Sequence, residues 1–281
     1  MVDKCQLCGS DKLKTLDAEA GVVKCVSCGF VFNKVRPTLE EIKAYYSKND
    51  KYDMWLTDFE QREKLWNWRL AKVLKYSKKG SILDISAGIG QFLNKAKIHF
   101  DELAGTEVSK SAISIAKDKF NLDLLEGTIH EIDFKGRQFD NVTMFHVLEH
   151  VMDPKAEILK VRDLLVDGGR LFIAVPNDVI NLKILVKKIV NTIKPRYKIY
   201  NQIVLDGLAD EIHVSHFTPR VLEKLLLDCG FSIGESSLDK YFISTGSKQR
   251  LDELYFEIMS FVSEHLLINL YDTIWIVAKK V

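Results

Sequence analysis

Residues 82–93 hold the feature that most constrains this chain, an apolar strand followed by a glycine turn and the start of a helix. The turn contains Gly88 and Gly90, and an acidic residue, Glu107, ends the next apolar strand. In dinucleotide-binding sheets, a carboxylate at that place accepts hydrogen bonds from the ribose hydroxyls. The sequence therefore predicts an α/β sheet that binds a ligand with an adenosine-like group.

The spacing of the glycines narrows the class of ligand. A dinucleotide site has the pattern G-x-G-x-x-G, but here the third place is Leu93, and no Gly-Lys-Ser/Thr of a phosphate-binding loop follows. The remaining pattern, from Asp84 through Ser86 to Gly90, resembles the cofactor loop of class I S-adenosylmethionine-dependent methyltransferases, usually Asp/Glu-x-Gly-x-Gly-x-Gly. Ser86 departs from it, because serine tolerates a positive φ less well than the first glycine of the pattern does.

Two later segments resemble the same family. Residues 139–154 are similar to its fourth strand and the loop that follows, and residues 164–177 are similar to its fifth strand, which ends here in Pro-Asn. Three ordered matches over about residues 80–177 are more specific than any one of them. The resemblance implies a seven-stranded sheet whose last strand is antiparallel.

The order of elements agrees with that fold. Apolar strands and amphipathic helices alternate from residue 81 onward, which predicts a doubly wound, mostly parallel α/β sheet with helices on both faces. Ligands bind such sheets at the carboxyl ends of strands. The predicted strands lie near 81–86, 102–107, 122–126, 139–145, 170–176, 231–238 and 271–279, and the predicted helices near 90–99, 109–119, 155–166 and from Thr218-Pro219 onward.

Four of the five cysteines lie in the first 28 residues, as two Cys-x-x-Cys-Gly pairs separated by 16 residues. This spacing is typical of a zinc ribbon, in which four thiolates hold Zn²⁺ in a closed, structural site. Two reduced pairs or disulfides are the alternative. The predicted zinc ligands are Cys5, Cys8, Cys25 and Cys28. Cys229 follows leucines at helical spacing and is predicted to be a core residue.

The chain divides into three predicted regions. Residues 1–37 form the zinc ribbon, 38–78 a helical linker whose aromatic residues pack the core or cover the cofactor, and 79–281 the methyltransferase domain. An insertion at about 178–217 is apolar and basic, with Lys194, Arg196 and Lys198 in its second part. We expect a lid there. A packed helix with solvated lysines, a patch for an anionic or phosphorylated substrate, and contact with a membrane surface remain open for it.

Composition excludes several classes of protein. The 40 Lys and Arg residues nearly balance the 39 Asp and Glu residues, so bulk charge does not support nucleic-acid binding. The first residues lack the apolar core of a signal peptide, and no run approaches the ~18 apolar residues of a membrane span. We therefore expect a cytoplasmic protein whose thiols stay reduced.

The turn and its neighbours supply the predicted cofactor site. Asp84 is expected to bind the ammonium of the cofactor directly or through water, the amides of residues 87–90 its carboxylate, and Glu107 its ribose. Residues 128–129 are expected to flank the adenine. The predicted cofactor-binding residues are Asp84, Ser86, Ala87, Gly88, Gly90, Glu107, Thr128, Ile129 and Phe145.

Histidines dominate the predicted acceptor side. His146, Glu149 and His150 stand at i, i+3 and i+4, and His213 comes later in the chain. Quinone-ring O-methyltransferases and small-RNA 2′-O-methyltransferases carry Glu-x-x-Glu-His and a later histidine, which bind a divalent metal. Here His146 replaces the first glutamate. A second divalent metal at these four residues, a histidine base and purely structural histidines remain open. The predicted catalytic residues are His146, as first choice for the base, His150 and His213.

The whole chain resembles class I methyltransferases with an N-terminal four-cysteine zinc ribbon, which modify sugars, surface glycans and natural products. The supporting motifs are Cys-Gly-Phe-Val-Phe, His-Val-Leu-Glu-His-Val, and His-Phe-Thr before Gly-Phe. The resemblance implies methyl transfer from S-adenosylmethionine to a small molecule, and we expect a hydroxyl of a saccharide or nucleotide-linked sugar. An RNA methyltransferase that binds RNA through the ribbon, and a non-catalytic scaffold with a degenerate pocket, are the alternatives. The sequence leaves the oligomeric state open.

Overall fold

The computed structural model describes residues 2–48, 52–194, 197–205, 211–241 and 244–281. Its strands and helices alternate as the sequence predicts. In chain order the elements are β1 (Leu13–Asp17), β2 (Val22–Cys25), β3 (Val31–Asn33), α1 (Leu39–Tyr46), α2 (Asp53–Thr57), α3 (Phe59–Tyr76), β4 (Ser81–Ile85), α4 (Gln91–Ala96), β5 (Glu102–Glu107), α5 (Lys110–Phe120), β6 (Leu125–Glu126), β7 (Phe139–Phe145), α6 (Pro154–Leu164), β8 (Leu165–Pro176), α7 (Leu182–Ile193), β9 (Ser215–His216), α8 (Pro219–Asp228), β10 (Phe231–Ser237), α9 (Gly246–Leu266) and β11 (Thr273–Lys280).

Seven strands form the central sheet in the order β10-β11-β8-β7-β4-β5-β6. β11 runs antiparallel to both of its neighbours, and the other pairings are parallel. Leu83 packs into the core on one face of the sheet and Ile82 into the core on the other, because successive strand side chains point to opposite faces. The predicted doubly wound α/β fold with an antiparallel last strand is therefore confirmed.

Helix signals in the sequence place several boundaries. The Asp153 carboxylate accepts hydrogen bonds from the first amides of α6, and Pro154 takes the first helical position. Thr218 does the same for α8. Other boundaries differ from the prediction. β8 begins directly at Leu165, so it takes in the turn glycines that we expected before the strand. The strand predicted at 122–126 is shorter, because only Leu125 and Glu126 pair with β5. Asn121, in the left-handed conformation, ends α5 before it.

A second, four-stranded sheet joins the N-terminus to the main domain. Its order is β1-β2-β3-β9, all antiparallel, so residues 2–37, here called the cysteine module, share a sheet with residues 215–216. Side chains add to the junction, since Gln6 and Arg36 both donate to the Met152 carbonyl. The cysteine module is thus attached by backbone pairing to the chain segment that leads into α8.

Helices α1 to α3 lie over the carboxyl ends of the central strands. Trp66 of α3 packs against Phe92 and Phe145, and Trp68 against Trp275 of β11. The predicted insertion at 178–217 contains α7 and β9, while its residues 195–196 and 206–210, including Arg196, lie outside the described residues. Among the described helices, none combines the length and the apolar character needed to cross a bilayer.

Candidate active site

The glycine turn after β4 has a left-handed backbone at its two glycines and also at Ser86, where serine is less suited to it than glycine. Ser86 has φ +56°, Gly88 φ +56° and Gly90 φ +79°. A Cβ atom on Gly88 would lie 2.6 Å from Cζ3 of Trp55, so glycine is needed for the close approach of that ring. Gly90 faces away from the turn's open side, because a Cβ there would meet Leu122 at 2.8 Å. Gly88 therefore shapes the ligand side of the turn, and Gly90 its packing.

Glu107 at the end of β5 is the anchor of the turn. One carboxylate oxygen accepts from the Gly88 amide at 2.8 Å, and the other from the amides of Val108 and Ser109 at 2.8 and 2.9 Å. Burial raises the pKa of Glu107, although these amides act in the opposite direction. The carboxylate is thereby fixed beside the turn, as the sequence predicts for a ribose-binding acid.

Asp84 is buried beneath the turn. Thr143 donates a 2.6 Å hydrogen bond to it, and burial raises the pKa of Asp84 to about 7. Its side chain does not reach the wall of the cavity that the turn faces. A direct contact between Asp84 and a ligand, one of the two routes open from the sequence, is therefore not available in this conformation.

A cavity of about 480 Å³ opens at the carboxyl ends of β4, β5 and β7, a size typical of small-molecule sites. Helices α1 to α3 and neighbouring residues cover it. The cavity-lining residues that the sequence predicted are Ser86, Gly88, Glu107, Thr128, Ile129, Phe145, His146 and His150, and those it missed include Tyr46, Tyr52, Trp55, Arg62, Trp66, Arg69, Glu211 and Tyr241. Four predicted site residues do not line it, namely Asp84, Ala87, Gly90 and His213.

His146 directly follows β7 and lines the cavity, with φ +58°. Its Nδ1 is 3.3 Å from Glu149 Oε1, and its Nε2 is 3.6 Å from Asp239 Oδ2. Its ring packs against Tyr241 with the centroids 4.4 Å apart and the planes tilted by 36°. Burial alone would lower the pKa of His146, but Asp239 and Glu149 outweigh it and raise the pKa. Carboxylates near both ring nitrogens therefore favour the protonated form of His146.

A buried ion pair supports this end of the cavity. Arg69 of α3 binds Asp239 through Nε and Nη2, and the two side chains are 1% and 0% exposed. The guanidinium also lies over the rings of Trp66 and Phe145. The sequence reasoning missed this pair. One signal was available, because Arg62, Trp66 and Arg69 fall on one face of α3 at i, i+4 and i+7.

His150 and His213 lie side by side, with ring centroids 5.1 Å apart. Nδ1 of His150 is 2.7 Å from the Ile212 carbonyl oxygen, which can only accept, so Nδ1 carries the proton and Nε2 is the acceptor. Burial lowers the pKa of His150. Burial alone would lower the pKa of His213, but hydrogen bonds with Asp178 and Glu211 stabilise its charged form and raise the pKa.

Glu149 completes this group. The side chain is 1% exposed, and within the described residues neither of its oxygens has an aligned hydrogen-bond donor. Glu149, His150 and His213 each place a ligand-type atom within 4.8 Å of the others, close enough for one metal ion. His146, the fourth residue of the set suggested by the sequence, is not part of this group.

The four cysteines of the cysteine module cluster as their spacing predicts. Cys5 Sγ is 3.5 Å from Cys28 Sγ, and Cys8 Sγ is 3.6 Å from Cys25 Sγ, so each contact joins one pair to the other. The glycine after each pair has a positive φ, which closes the turn around the sulfur atoms. Four thiols in one cluster are the ligand set of a closed tetrahedral Zn²⁺ site.

Comparisons with known proteins agree with this architecture. A family model described as a methyltransferase domain matches residues 59–236. A demethylmenaquinone methyltransferase from Staphylococcus saprophyticus is 28% identical over 137 residues, and the match covers 46% of this chain and 58% of that protein. This chain thus aligns with little more than half the length of that curated relative.

Solved structures share the fold. Magnesium protoporphyrin IX methyltransferase from Synechocystis PCC 6803, crystallised with bound SAH, superposes with a TM-score of 0.58 at 14% identity, over 87% of this chain and all of that one. An S-adenosylmethionine-dependent methyltransferase from Clostridium acetobutylicum does so with a TM-score of 0.52 at 16% identity, over 77% and 91%. The family model covers more than half of the chain. The chain therefore belongs to the methyltransferase-domain family of S-adenosylmethionine-dependent enzymes.

Proposed function

We propose that this protein transfers the methyl group of S-adenosylmethionine to a hydroxyl oxygen of a small molecule, a saccharide or nucleotide-linked sugar. One observation carries the proposal. A single cavity joins the glycine turn and Glu107 at one end to His146 and His150 at the other. The donor and the acceptor can therefore meet in one enclosed space, and alignment of the reacting atoms is the main contribution of such a site.

The cofactor end has a group for each part of the nucleoside. Glu107 is fixed beside the turn to accept hydrogen bonds from the ribose hydroxyls. The adenine would lie by Thr128 and Ile129, which line the same end of the cavity. Phe145 lies at the carboxyl end of β7, before His146. The aromatic cover from α2 and α3 would keep water away from the sulfonium.

His150 is the group that we assign as proton acceptor. Of the three predicted catalytic histidines, it alone has a lowered pKa, whereas those of His146 and His213 are raised. A neutral imidazole whose Nδ1 proton is fixed by the Ile212 carbonyl leaves Nε2 as the acceptor. His146 and Tyr241 would then position the acceptor hydroxyl.

The proposal includes a structural metal ion, and a second, catalytic metal ion is an alternative to the histidine base. Cys5, Cys8, Cys25 and Cys28 would hold Zn²⁺, which would stabilise the cysteine module and supply no catalytic chemistry. Glu149, His150 and His213 could hold a divalent ion in place of the base, and the orphaned oxygens of Glu149 favour that alternative. When bound, such an ion would act as a Lewis acid. Activity that persists after chelation of Mg²⁺ and Mn²⁺ would leave His150 as the base.

A small-molecule acceptor suits the site better than RNA. The cavity lies beneath three helices and is lined by aromatic side chains, and bulk charge is nearly balanced. By their names, the similar proteins from Staphylococcus and Synechocystis methylate demethylmenaquinone and a magnesium porphyrin. Both acceptors are small molecules, and neither name indicates a sugar.

Incubation of the purified chain with S-adenosylmethionine and three acceptor pools would test the proposal. The pools are nucleotide-linked sugars, free saccharides and total RNA, with mass spectrometry as the readout. We expect one added methyl group in a sugar pool, and loss of that product in Glu107→Ala and His150→Gln. Lys119→Met, an exposed change on α5, is the control. Methylation of RNA alone, or an unchanged product profile in both variants, would contradict the assignment.

A further inference from the structure

Helix α9 carries apolar side chains on both its inner and its outer side. On the inner side, Phe256 packs against Trp68 of α3, and Met259 is buried in one cluster with Tyr271. The outer side carries four large apolar residues that the described part of the chain leaves exposed, namely Leu251 at 66%, Leu254 at 53%, Ile258 at 49% and Phe261 at 62%. Single exposed apolar side chains are ordinary, but a row of them on one helix face indicates a surface that another molecule covers.

The spacing of this row indicates the shape of its partner. The four residues follow one another at intervals of three, four and three, which is the heptad pattern of a seam between two helices. Ser247 and His265, the next positions of the same pattern, are polar, so the seam has four apolar positions. A helix of 21 residues is about 31 Å long, which accommodates all four. Three further exposed apolar residues follow the seam, Leu266, Leu267 and Ile268.

The charges beside the seam favour a second copy of the chain that runs in the opposite direction. Arg250 lies near the start of α9 and Glu264 near its end, and both side chains are exposed. An antiparallel pair that sets Leu251 opposite Phe261 brings Arg250 of each copy beside Glu264 of the other, because the residues that flank a seam meet across it. A parallel pair would leave these two charges at opposite ends of the interface.

The same charges disfavour a lipid surface as the partner. Helices that lie on membranes have polar faces rich in lysine and arginine, and the membrane surfaces that attract them are anionic. α9 has two basic side chains and four acidic ones, which are Asp252, Glu253, Glu257 and Glu264. An anionic bilayer would therefore repel this helix, whereas its own copy offers opposite charges.

We propose that two copies of this chain form a dimer in which the outer faces of α9 pack antiparallel about a two-fold axis. Leu254 of each copy faces Ile258 of the other beside the axis, and the interface uses the same surface on both copies. One contact is unfavourable, because the two Glu257 side chains approach each other near the axis. Since Phe256 on the inner side packs against Trp68, the dimer would also support α3, which covers the cavity.

Sedimentation equilibrium of the purified chain measures this association. We expect a monomer–dimer equilibrium within about 1–100 μM, a range in which interfaces of modest area associate. Ile258→Glu should weaken the dimer by at least about 100-fold, because dimerisation would bury a charge without a partner. Ile98→Glu introduces the same charge at a side chain that is 86% exposed outside α9, and should match the wild type. Circular dichroism of both variants at a concentration where the wild type is monomeric checks their fold.

Charge reversal tests the direction of pairing without disturbing the apolar seam. Arg250→Glu and Glu264→Arg should each weaken the dimer by about 10-fold, because each turns an attraction into a repulsion at two symmetric places. The double variant should recover the affinity of the wild type. The two residues are about 21 Å apart along the helix, so the recovery requires pairing between copies. Glu257→Gln should tighten the dimer, because it removes the repulsion at the axis.

Three results would overturn the proposal. They are a wild type that stays monomeric over the whole concentration range, a dimer whose affinity Ile258→Glu leaves unchanged, and a double variant that is as weak as the single ones. Flotation with phosphatidylglycerol vesicles tests the competing partner. Binding of monomeric wild type to the vesicles, and its loss in Ile258→Glu, would show that α9 contacts lipid instead. None of these measurements requires methyl transfer, so the dimer and the proposed function can fail separately.

Discussion

Replacing Arg69 by methionine is the perturbation for which the structure gives the clearest magnitude. The change removes one partner of a pair that is 1% and 0% exposed, and it leaves the Asp239 carboxylate buried, with Nε2 of His146 3.6 Å away. Breaking a buried pair in this way costs about 3–5 kcal/mol, whereas an exposed pair contributes about 0–1 kcal/mol. For a domain of this size, 1 kcal/mol shifts the melting temperature by roughly 2–4 °C. We therefore expect Arg69→Met to melt about 6–20 °C below the wild type.

Two further variants test the reason for the loss. Lys117→Met breaks an exposed pair with Asp123, whose side chains are 50% and 83% exposed, and should shift the melting temperature by less than about 4 °C. Adding Asp239→Asn to Arg69→Met removes the stranded charge and should restore part of the stability. Thermal unfolding followed by circular dichroism measures all three. The reasoning is wrong if Arg69→Met has the same melting temperature as Lys117→Met, or if the double variant is no more stable than Arg69→Met.

The same pair predicts a dependence on pH. Burial alone would raise the pKa of Asp239, but Arg69 and His146 lower it from 3.8 to about 2. A carboxyl with a lowered pKa in the folded state stabilises the protein above its unfolded pKa, and that contribution is lost as the pH falls from about 4 toward 2. The loss should be present in the wild type and reduced in Arg69→Met. An equal acid sensitivity of the two proteins would contradict the assigned cause.

Three other outcomes are expected. Gly88→Ala should weaken cofactor binding in calorimetry, because its Cβ would displace the Trp55 ring. Gly21→Ala, with φ +65° but open space around the added Cβ, controls for backbone strain. Equal cofactor affinity of the two variants would refute the clash with Trp55. Asp84→Asn should flatten the dependence of the melting temperature on pH between about 4 and 7, because a carboxyl whose pKa is raised from 3.8 to about 7 makes the wild type lose stability as the pH rises through that range. An unchanged slope would exclude Asp84 as the cause. Stripping the proposed Zn²⁺ with a chelator should reduce turnover more than binding of S-adenosylhomocysteine, because β9, which begins two residues after His213, pairs with β3 of the cysteine module. A parallel loss of turnover and binding would contradict that link.

Local patterns in the sequence were enough to predict that Gly88 and Glu107 lie together at one end of the cavity. Their positions depend on a strand end and a tight turn, and neighbouring residues determine both. The cysteine cluster was found for the same reason, since two short turns fix the four sulfur atoms. The seven-stranded sheet with an antiparallel last strand was predicted from alternation and resemblance together.

The acceptor end depends on contacts that no local pattern contains. Arg69 and Asp239 are 170 residues apart, and a single arginine on an amphipathic helix looks the same in sequence whether it is solvated or buried. The protonation states of His146 and His150 could not be ranked for the same reason. They depend on Asp239 and on the Ile212 carbonyl, which approach only in the folded chain.

The pairing of β3 with β9 has a consequence for how the chain folds. Asn33 and His216 meet across 183 residues, so the edge of the first sheet cannot be covered until the chain has been synthesised past residue 216. Contacts of such long sequence separation form late and slow the folding of a domain. The nascent N-terminal sheet must therefore wait with an open edge, and an uncovered edge of this kind is where a chaperone, or a misdirected neighbouring chain, would bind first.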